Sequence, residues 1–493
     1  MKLILGIVIS LLSLTFAQTE LRPKDCPRQL MLSETEGETA FCQSLIVPED
    51  WANPAEKTLE LAVLTLKAKT EAPKPDPIIF LQGGPGGAAL STIEFWQELS
   101  WRDSRDIILI DQRGTGYGKP NLKCPELYQN LDDFKQGASD CRERLTTSGN
   151  NVDLFNSAQN AQDIGAFIRV AGLESVNLYG VSYGTRLALT IMRDTPEKLR
   201  TVVLDSTYPP QAQRLNEFGA NFARALSEVF FQCDRDPVCK ETYPDLKERF
   251  FNRLDRLDLT PLRQPITALE FSKDDVLNIL FQGMYSESVI SSLPYALDKL
   301  SQLDLNSFIV IVAGMASAED LDTGNFGFRD IWQGLGEVFK YIWREVQSEG
   351  VYFATECPED VFFQNYRLVK RANEGLEPIL QDFANATALE MFTACRAWQA
   401  PRGVELESKA VVSDIPTLVL AGSFDPITPP EWGERAAKTL SQSYFYEFPN
   451  AAHGVFLSSD CPVQMVEAFF DEPGTAPDAT CIEGLEVKFY VPQ

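Results

Sequence analysis

Gly180-Val181-Ser182-Tyr183-Gly184 stands directly after the apolar run Ser175–Tyr179 and opens a stretch with helical spacing. In a G-x-S-x-G between strand and helix, the glycines let the two elements close on each other and push the serine hydroxyl outward on a sharp turn. That hydroxyl is a weak nucleophile near neutral pH and needs a base to take its proton. The chain contains one histidine, His453, in Asn450-Ala451-Ala452-His453-Gly454 after the last apolar run, so any imidazole base is this residue. A single histidine also excludes the His-pair zinc motifs and every mechanism that needs two imidazoles. The base must be held in one tautomer by a carboxylate. Asp425, in the turn Gly422–Pro429 after the run Ile415–Ala421, is the acid expected to do so. Asp111 and Asp205 also end apolar runs and are rival acids, but the orienting acid is expected from the strand just before the histidine.

Acyl transfer also needs donors aimed at the developing oxyanion, each worth roughly 3 to 4 kcal/mol. The N–H of Tyr183, directly after the nucleophile, is one. The other is expected from Gln82-Gly83-Gly84-Pro85-Gly86-Gly87, where glycines let the main chain turn its N–H groups inward; Gly84 is favoured over Gly83. This chemistry calls for no metal and no organic cofactor.

These residues must be positioned by strands. Runs rich in β-branched residues predict eight of them: Phe41–Val47, Leu59–Lys67, Pro77–Gln82, Asp106–Asp111, Ser175–Tyr179, Thr201–Asp205, Ile415–Ala421 and Ser443–Phe448. Helical patterns at Ala88–Trp101, Ser157–Gly172 and Tyr183–Arg193 alternate with them, the pattern of a mostly parallel α/β sheet covered on both faces. The alternation stops after the sixth strand and resumes near Ile415. Between them the periodic segments are helical, at Asn216–Gln232, Leu246–Leu257, Lys273–Phe281, Leu293–Leu303, Gly334–Gln347 and Ala386–Trp398, and predict a large helical cap inserted into the sheet. The expected division is a leader at 1–17, sheet domain at 18–210, cap at 211–410 and the rest of the sheet domain at 411–493.

Composition narrows the partners. Of 493 residues, 44 are Lys or Arg and 70 Asp or Glu, for a formal charge of −26 that is spread along the chain. Nucleic acid is excluded as a partner, because a phosphate backbone requires a basic face. The N-terminus carries Lys2, an apolar run Leu3–Leu14 and small residues before Gln18, the pattern of a cleaved export signal and too short for a stable membrane anchor. Export to a periplasm or the medium implies an oxidising compartment, and all ten Cys lie beyond the leader. Neighbours along the chain suggest Cys26 with Cys42, Cys124 with Cys141, Cys233 with Cys239, Cys357 with Cys395 and Cys461 with Cys481, although other connectivities satisfy the same count. The protein is expected to be a monomer.

Taken together, Gly83–Gly87, Asp111-Gln112-Arg113-Gly114-Thr115-Gly116, Gly180–Gly184, Leu204–Pro210 and Gly422–Pro430 followed by His453-Gly454 resemble the proline iminopeptidase and tripeptidyl aminopeptidase group of α/β-hydrolases. The C-terminal block is nearest the tripeptidyl aminopeptidase branch, and Cys42–Asp50, with its Val47-Pro48-Glu49-Asp50, is similar to the exported members. Gln82 departs from the histidine that many proline iminopeptidases carry before the glycines. The resemblance implies an α/β-hydrolase fold, a Ser182–His453–Asp425 triad and a serine exopeptidase acting on peptides with a free N-terminus. It also implies that the cap offers carboxylates to the substrate's α-ammonium, since a buried cation needs an anionic partner. Glu359 and Asp360, in Glu356-Cys357-Pro358-Glu359-Asp360, are the expected pair, with Glu356 ranked below them. A carboxylesterase or lipase on the same triad, a proline iminopeptidase, and a binding module on an inactive hydrolase fold are the alternatives.

Overall fold

A computed structural model describes residues 19–27, 33–129, 133–257, 262–263, 270–322 and 347–492. The expected leader at 1–17 and residues 334–346 of the expected helix Gly334–Gln347 lie outside them. The apolar runs form one nine-stranded sheet: β1 (Glu20–Pro23), β2 (Ala40–Pro48), β3 (Thr58–Leu66), β4 (Ile78–Leu81), β5 (Ile107–Ile110), β6 (Val176–Val181), β7 (Leu199–Asp205), β8 (Thr417–Gly422) and β9 (Ser443–Phe448). Their order is β1-β2-β3-β5-β4-β6-β7-β8-β9. The first four in that order pair antiparallel, and from β5 onward every pair is parallel.

All eight expected strands are present. The ninth, β1, escapes a pattern search because Glu20-Leu21-Arg22-Pro23 offers one aliphatic side chain; it exists as an edge strand paired with Gln43–Ile46 of β2. Proline at its end is compatible only with such an edge position.

The parallel register decides where chemistry can occur. Leu81 pairs with Gly180, Val181 with Asp205, and Gly422 with Phe448. The carboxyl ends of β4, β6, β7, β8 and β9 therefore lie along one edge, where open α/β sheets bind ligands. Each of the loops expected to carry a functional residue leaves one of those ends.

Helices Ser157–Val170 and Tyr183–Asp194 pack on one face, sharing a core of Ile164, Phe167, Leu187 and Ile191 with Leu81, Leu178 and Leu204. On the other face Trp96, Trp101, Phe469 and Phe470 close over Phe80, Tyr179 and Leu420. The single helix expected at Ala88–Trp101 is instead two 3₁₀ turns flanking a short helix, Ile93–Glu98. Leu99 is extended and breaks it, while the buried Asp111 carboxylate takes the N–H of Leu90 at 2.9 Å and fixes the entry.

Between β7 and β8 the described chain is helical apart from a two-stranded hairpin, Leu262–Arg263 with Glu270–Phe271. Helices Arg214–Arg235, Leu246–Leu257, Lys273–Gly283, Leu293–Ser301 and Leu305–Val312 bury a core of their own around Phe222, Leu226, Phe250, Leu280 and Phe308. The later helices Glu349–Glu359 and Pro378–Trp398 divide their loyalty. Val351, Phe353, Ala354, Ala394 and Trp398 belong to the sheet's core, whereas Ile379, Leu380 and Phe383 belong to the helical one. All ten cysteines pair as the chain neighbours suggest, which fits an oxidising compartment. Among the described residues, no helix is long and apolar enough to cross a membrane.

Candidate active site

Ser182 follows β6 and precedes the helix Tyr183–Asp194 with φ 58° and ψ −126°, a conformation rare for a residue with a side chain. The neighbouring glycines make it attainable. A Cβ on Gly180 would lie 2.5 Å from the Gly184 carbonyl oxygen, and one on Gly184 only 1.9 Å from that of Leu81. The strain is held by the Ser182 N–H donating to Asp205 O at 3.0 Å.

His453 comes from the loop after β9 and Asp425 from the loop after β8. The imidazole Nδ1 lies 2.8 Å from Asp425 Oδ2. Facing a carboxylate, Nδ1 carries the proton and Nε2 is left as the acceptor. Asp425 is fully buried, and its Oδ1 accepts from the N–H groups of Ile427 and Thr428, each at 2.9 Å. Thr428 Oγ1 donates to Oδ2 at 2.6 Å and lies 3.1 Å from Nδ1. Burial alone would favour the neutral carboxylic acid, but the His453 charge and these donors hold the Asp425 carboxyl below its ordinary value. Burial likewise disfavours the imidazolium, yet Asp425, by charge and hydrogen bond, and then Asp205 lift His453 above its usual 6.5.

The rival acids have other partners. Asp205 accepts from Tyr179 Oη at 2.6 Å and from the N–H groups of Val455 and Phe456 at 2.8 and 3.1 Å, anchoring the chain just after His453. Asp111 takes the N–H groups of Leu90 and Tyr117, and burial pushes its pKa up to about 6. Two residues on, Arg113 makes a buried bidentate pair with Asp163. The segment Asp111–Gly116 is thus a tie within the fold.

Gly83 sits against the nucleophile, since a Cβ there would be 2.8 Å from Ser182 Cβ. Its N–H donates to Gln82 Oε1 at 2.9 Å, so it is not free for an oxyanion. The Gly84 N–H has no acceptor among the described protein groups, and Tyr183 is the first residue of its helix, where N–H groups have no partner inside the helix. Gln347 braces this loop from outside: its Nε2 donates to Pro85 O at 2.5 Å, and the adjacent Ser348 N–H donates to Gly86 O at 2.9 Å.

A cavity of about 480 Å³ opens over these groups, lined by Ser182, His453, Gly83 and Gly84 on the sheet side. Phe218, Phe281 and Phe383 from helices, with Tyr285 from the turn after the helix Lys273–Gly283, form an aromatic wall, and Arg214, Tyr352 and Glu356 a charged corner. Here the structure corrects the sequence reading: of the three acids beside Cys357, only Glu356 lines the cavity. Glu359 faces away, accepting from Ser157 N and Oγ at 2.7 Å each and pairing with Arg186 at 3.2 Å. Asp360 accepts from Gln364 Nε2 at 2.7 Å and the Arg214 N–H at 3.3 Å. Spacing could not separate the three, because residues three and four apart on a helix share a face; Ser157 and Arg186, from two other helices, draw Glu359 away from the cavity. Glu356 Oε2 accepts from Arg214 Nε at 2.9 Å and Tyr208 Oη at 3.3 Å. Burial lifts Glu359 and Asp360, against the nearby guanidinium charges, towards about 7. Three carboxylates thus share two guanidiniums, Arg186 and Arg214, beneath one corner of the cavity.

Sequence reasoning missed Thr428, Arg214, Tyr285 and Gln347. Thr428 was within reach, three residues after Asp425 in a turn; the others come from distant segments between β7 and β8 that no local pattern connects to Ser182, Asp425 and His453.

Tripeptidyl aminopeptidase of Streptomyces coelicolor is 23% identical over 483 residues, covering 89% of this chain and 82% of the relative. Serine protease Hip1 of Mycobacterium tuberculosis is 22% identical over 475 residues, covering 89% and 86%. Proline iminopeptidase of Arabidopsis thaliana is 28% identical over 190 residues, 38% of this chain and 42% of that protein. The family model described as the alpha/beta hydrolase fold matches residues 76–460, from just before β4 to the loop beyond His453, and the chain belongs to that family.

Proposed function

We propose that this protein is an exported serine aminopeptidase that releases residues or short peptides from peptide N-termini. Ser182 Oγ attacks the scissile carbonyl carbon while His453 Nε2 takes its proton, and Asp425 stabilises the imidazolium. The oxyanion is held by the N–H groups of Tyr183 and Gly84. As the C–N bond breaks, His453 returns the proton to the leaving amine; water then attacks the acyl-serine by the same base. The 1–17 leader and the five disulfides support export, and the helices between β7 and β8 serve as the cap that limits which part of a peptide reaches Ser182.

The observation that carries the reading is Glu356 in the cavity wall above a group with one carboxylate more than it has guanidiniums. Burial lifts Glu359 and Asp360 towards neutral pH, so an entering α-ammonium takes the place of a proton as the further cation that keeps the group ionised, and a buried charge pair of this kind discriminates strongly against a neutral amide. The relatives named tripeptidyl aminopeptidase and serine protease Hip1 support the same activity class. The test compares a short peptide p-nitroanilide with its N-acetylated form and with a simple ester, beside Ser182→Ala and Glu356→Gln. Cleavage that needs the free amine and Ser182, and that weakens at least about tenfold in kcat/KM for Glu356→Gln, is expected. Equal cleavage of the acetylated peptide would sink the aminopeptidase reading.

A further inference from the structure

Tyr285 lies in the turn after the helix Lys273–Gly283, remote in sequence from every triad residue. Its ring packs against the His453 imidazole with centroids 4.8 Å apart and planes at 62°. On its other side it meets Phe281 at 5.4 Å and 82°, and Phe281 meets Phe218 at 5.0 Å and 64°. All three line the cavity with His453. A row of tilted rings therefore runs from the cavity wall to the base.

Asp425 and Thr428 both meet Nδ1, so the imidazole is held by hydrogen bonds at one nitrogen, and these break if the ring turns about its bond to Cβ. A packed aromatic ring opposes that turn and keeps water from the Nδ1–Oδ2 bond.

We propose that Tyr285 is a positioning residue for His453: its ring, supplied by the helical region, holds the imidazole in the plane from which Nε2 can serve Ser182. The ring does this and the hydroxyl does not. The proposal rests on His453 being the base.

His453 is the only histidine of the 493 residues, so every imidazole signal in an NMR spectrum belongs to it. The experiment measures solvent exchange of the Nδ1 proton and steady-state kinetics in the wild type, Tyr285→Phe, Tyr285→Leu and Tyr285→Ala. Tyr285→Phe is expected to keep slow exchange and a kcat within about twofold. Tyr285→Leu and Tyr285→Ala are expected to exchange at least about tenfold faster and to lose about tenfold in kcat with KM changed less than about threefold. Unchanged exchange in a folded Tyr285→Ala overturns the proposal, as does a loss confined to KM or a loss already complete in Tyr285→Phe. The leucine variant guards against a cavity that unfolds the alanine one. If His453→Ala retains turnover, the base assignment fails, and that outcome is separate from the exchange result.

Discussion

Arg224, in the helix Arg214–Arg235, donates Nη1 to Ser423 O at 2.5 Å and Nη2 to Asp425 O at 2.6 Å, so a residue of the helical region grips the main chain of the triad acid. Phe424 and Ala452, neighbours of Asp425 and His453, are buried in the same apolar cluster as the helices between β7 and β8. The helical region is therefore part of what holds the catalytic loops in place, and its displacement cannot leave the triad untouched. Arg224→Ala is expected to lower kcat about tenfold with little change in KM. Arg224→Lys rescues only partly, because an ammonium cannot present two parallel donors to two carbonyls. Full activity in Arg224→Ala would show that the loop is held without it.

The rate should depend on pH through His453. Burial works against its charge, but Asp425 and Asp205 raise it above the ordinary 6.5. Only the neutral imidazole accepts the Ser182 proton, so kcat/KM is expected to rise with pH and reach half its plateau above pH 6.5. The stabilisation that the protonated ring contributes is complete below about pH 6.5 and is lost as pH rises through the higher folded value. Asp425, whose folded value is lowered, contributes in the opposite sense, with stability lost as pH falls below its ordinary 3.8. Asp425→Asn removes the charge that lifts His453, so the midpoint should move down while kcat falls by orders of magnitude. A midpoint that stays put would remove Asp425 from its assigned role.

Much of the site is legible in the chain because it is built of local turns. Gly180–Gly184 carries its own geometry, and each of Ser182, Asp425 and His453 follows a strand whose apolar run is self-evident. β1 and the helix Phe134–Thr147 are not legible for the same reason in reverse. The helix buries Gly137, Ala138, Cys141 and Leu145, a face too small to stand out as an apolar stripe. The charged corner was misread because Glu356, Glu359 and Asp360 differ only in direction, and direction is fixed by Arg186, Ser157 and Arg214 from three other segments. Tyr285 and Arg224 had no signal at all: their roles exist only through tertiary packing.

Gly83 gives a sharp test of close approach. An alanine there places its Cβ 2.8 Å from Ser182 Cβ and 3.0 Å from the Val181 carbonyl oxygen, so either the nucleophile or the loop bearing Gly84 must shift. A displacement of that kind between nucleophile and oxyanion donor costs on the order of a hundredfold in kcat. Because Glu356 is held by other contacts, binding of a peptide inhibitor with a free amine should weaken much less. Equal losses in kcat and inhibitor affinity would mean that the substitution disturbs the whole cavity.

The Cys357–Cys395 bridge joins the helix Glu349–Glu359 to Pro378–Trp398 across 38 residues, one position from Glu356, and both sulfurs are buried. Closing a loop of 38 residues restricts the unfolded chain by about 4 kcal/mol on the chain-entropy estimate. The double variant Cys357→Ser and Cys395→Ser should lose most of that in urea unfolding. The bridge also bears on the proposed amine recognition, because it pins the helix that carries Glu356. Its loss is expected to raise KM for free-amine peptides several-fold while the ester substrate, which makes no use of Glu356, is cleaved with nearly unchanged kinetics. If ester and peptide turnover fall together, the bridge stabilises the protein without contributing to amine recognition.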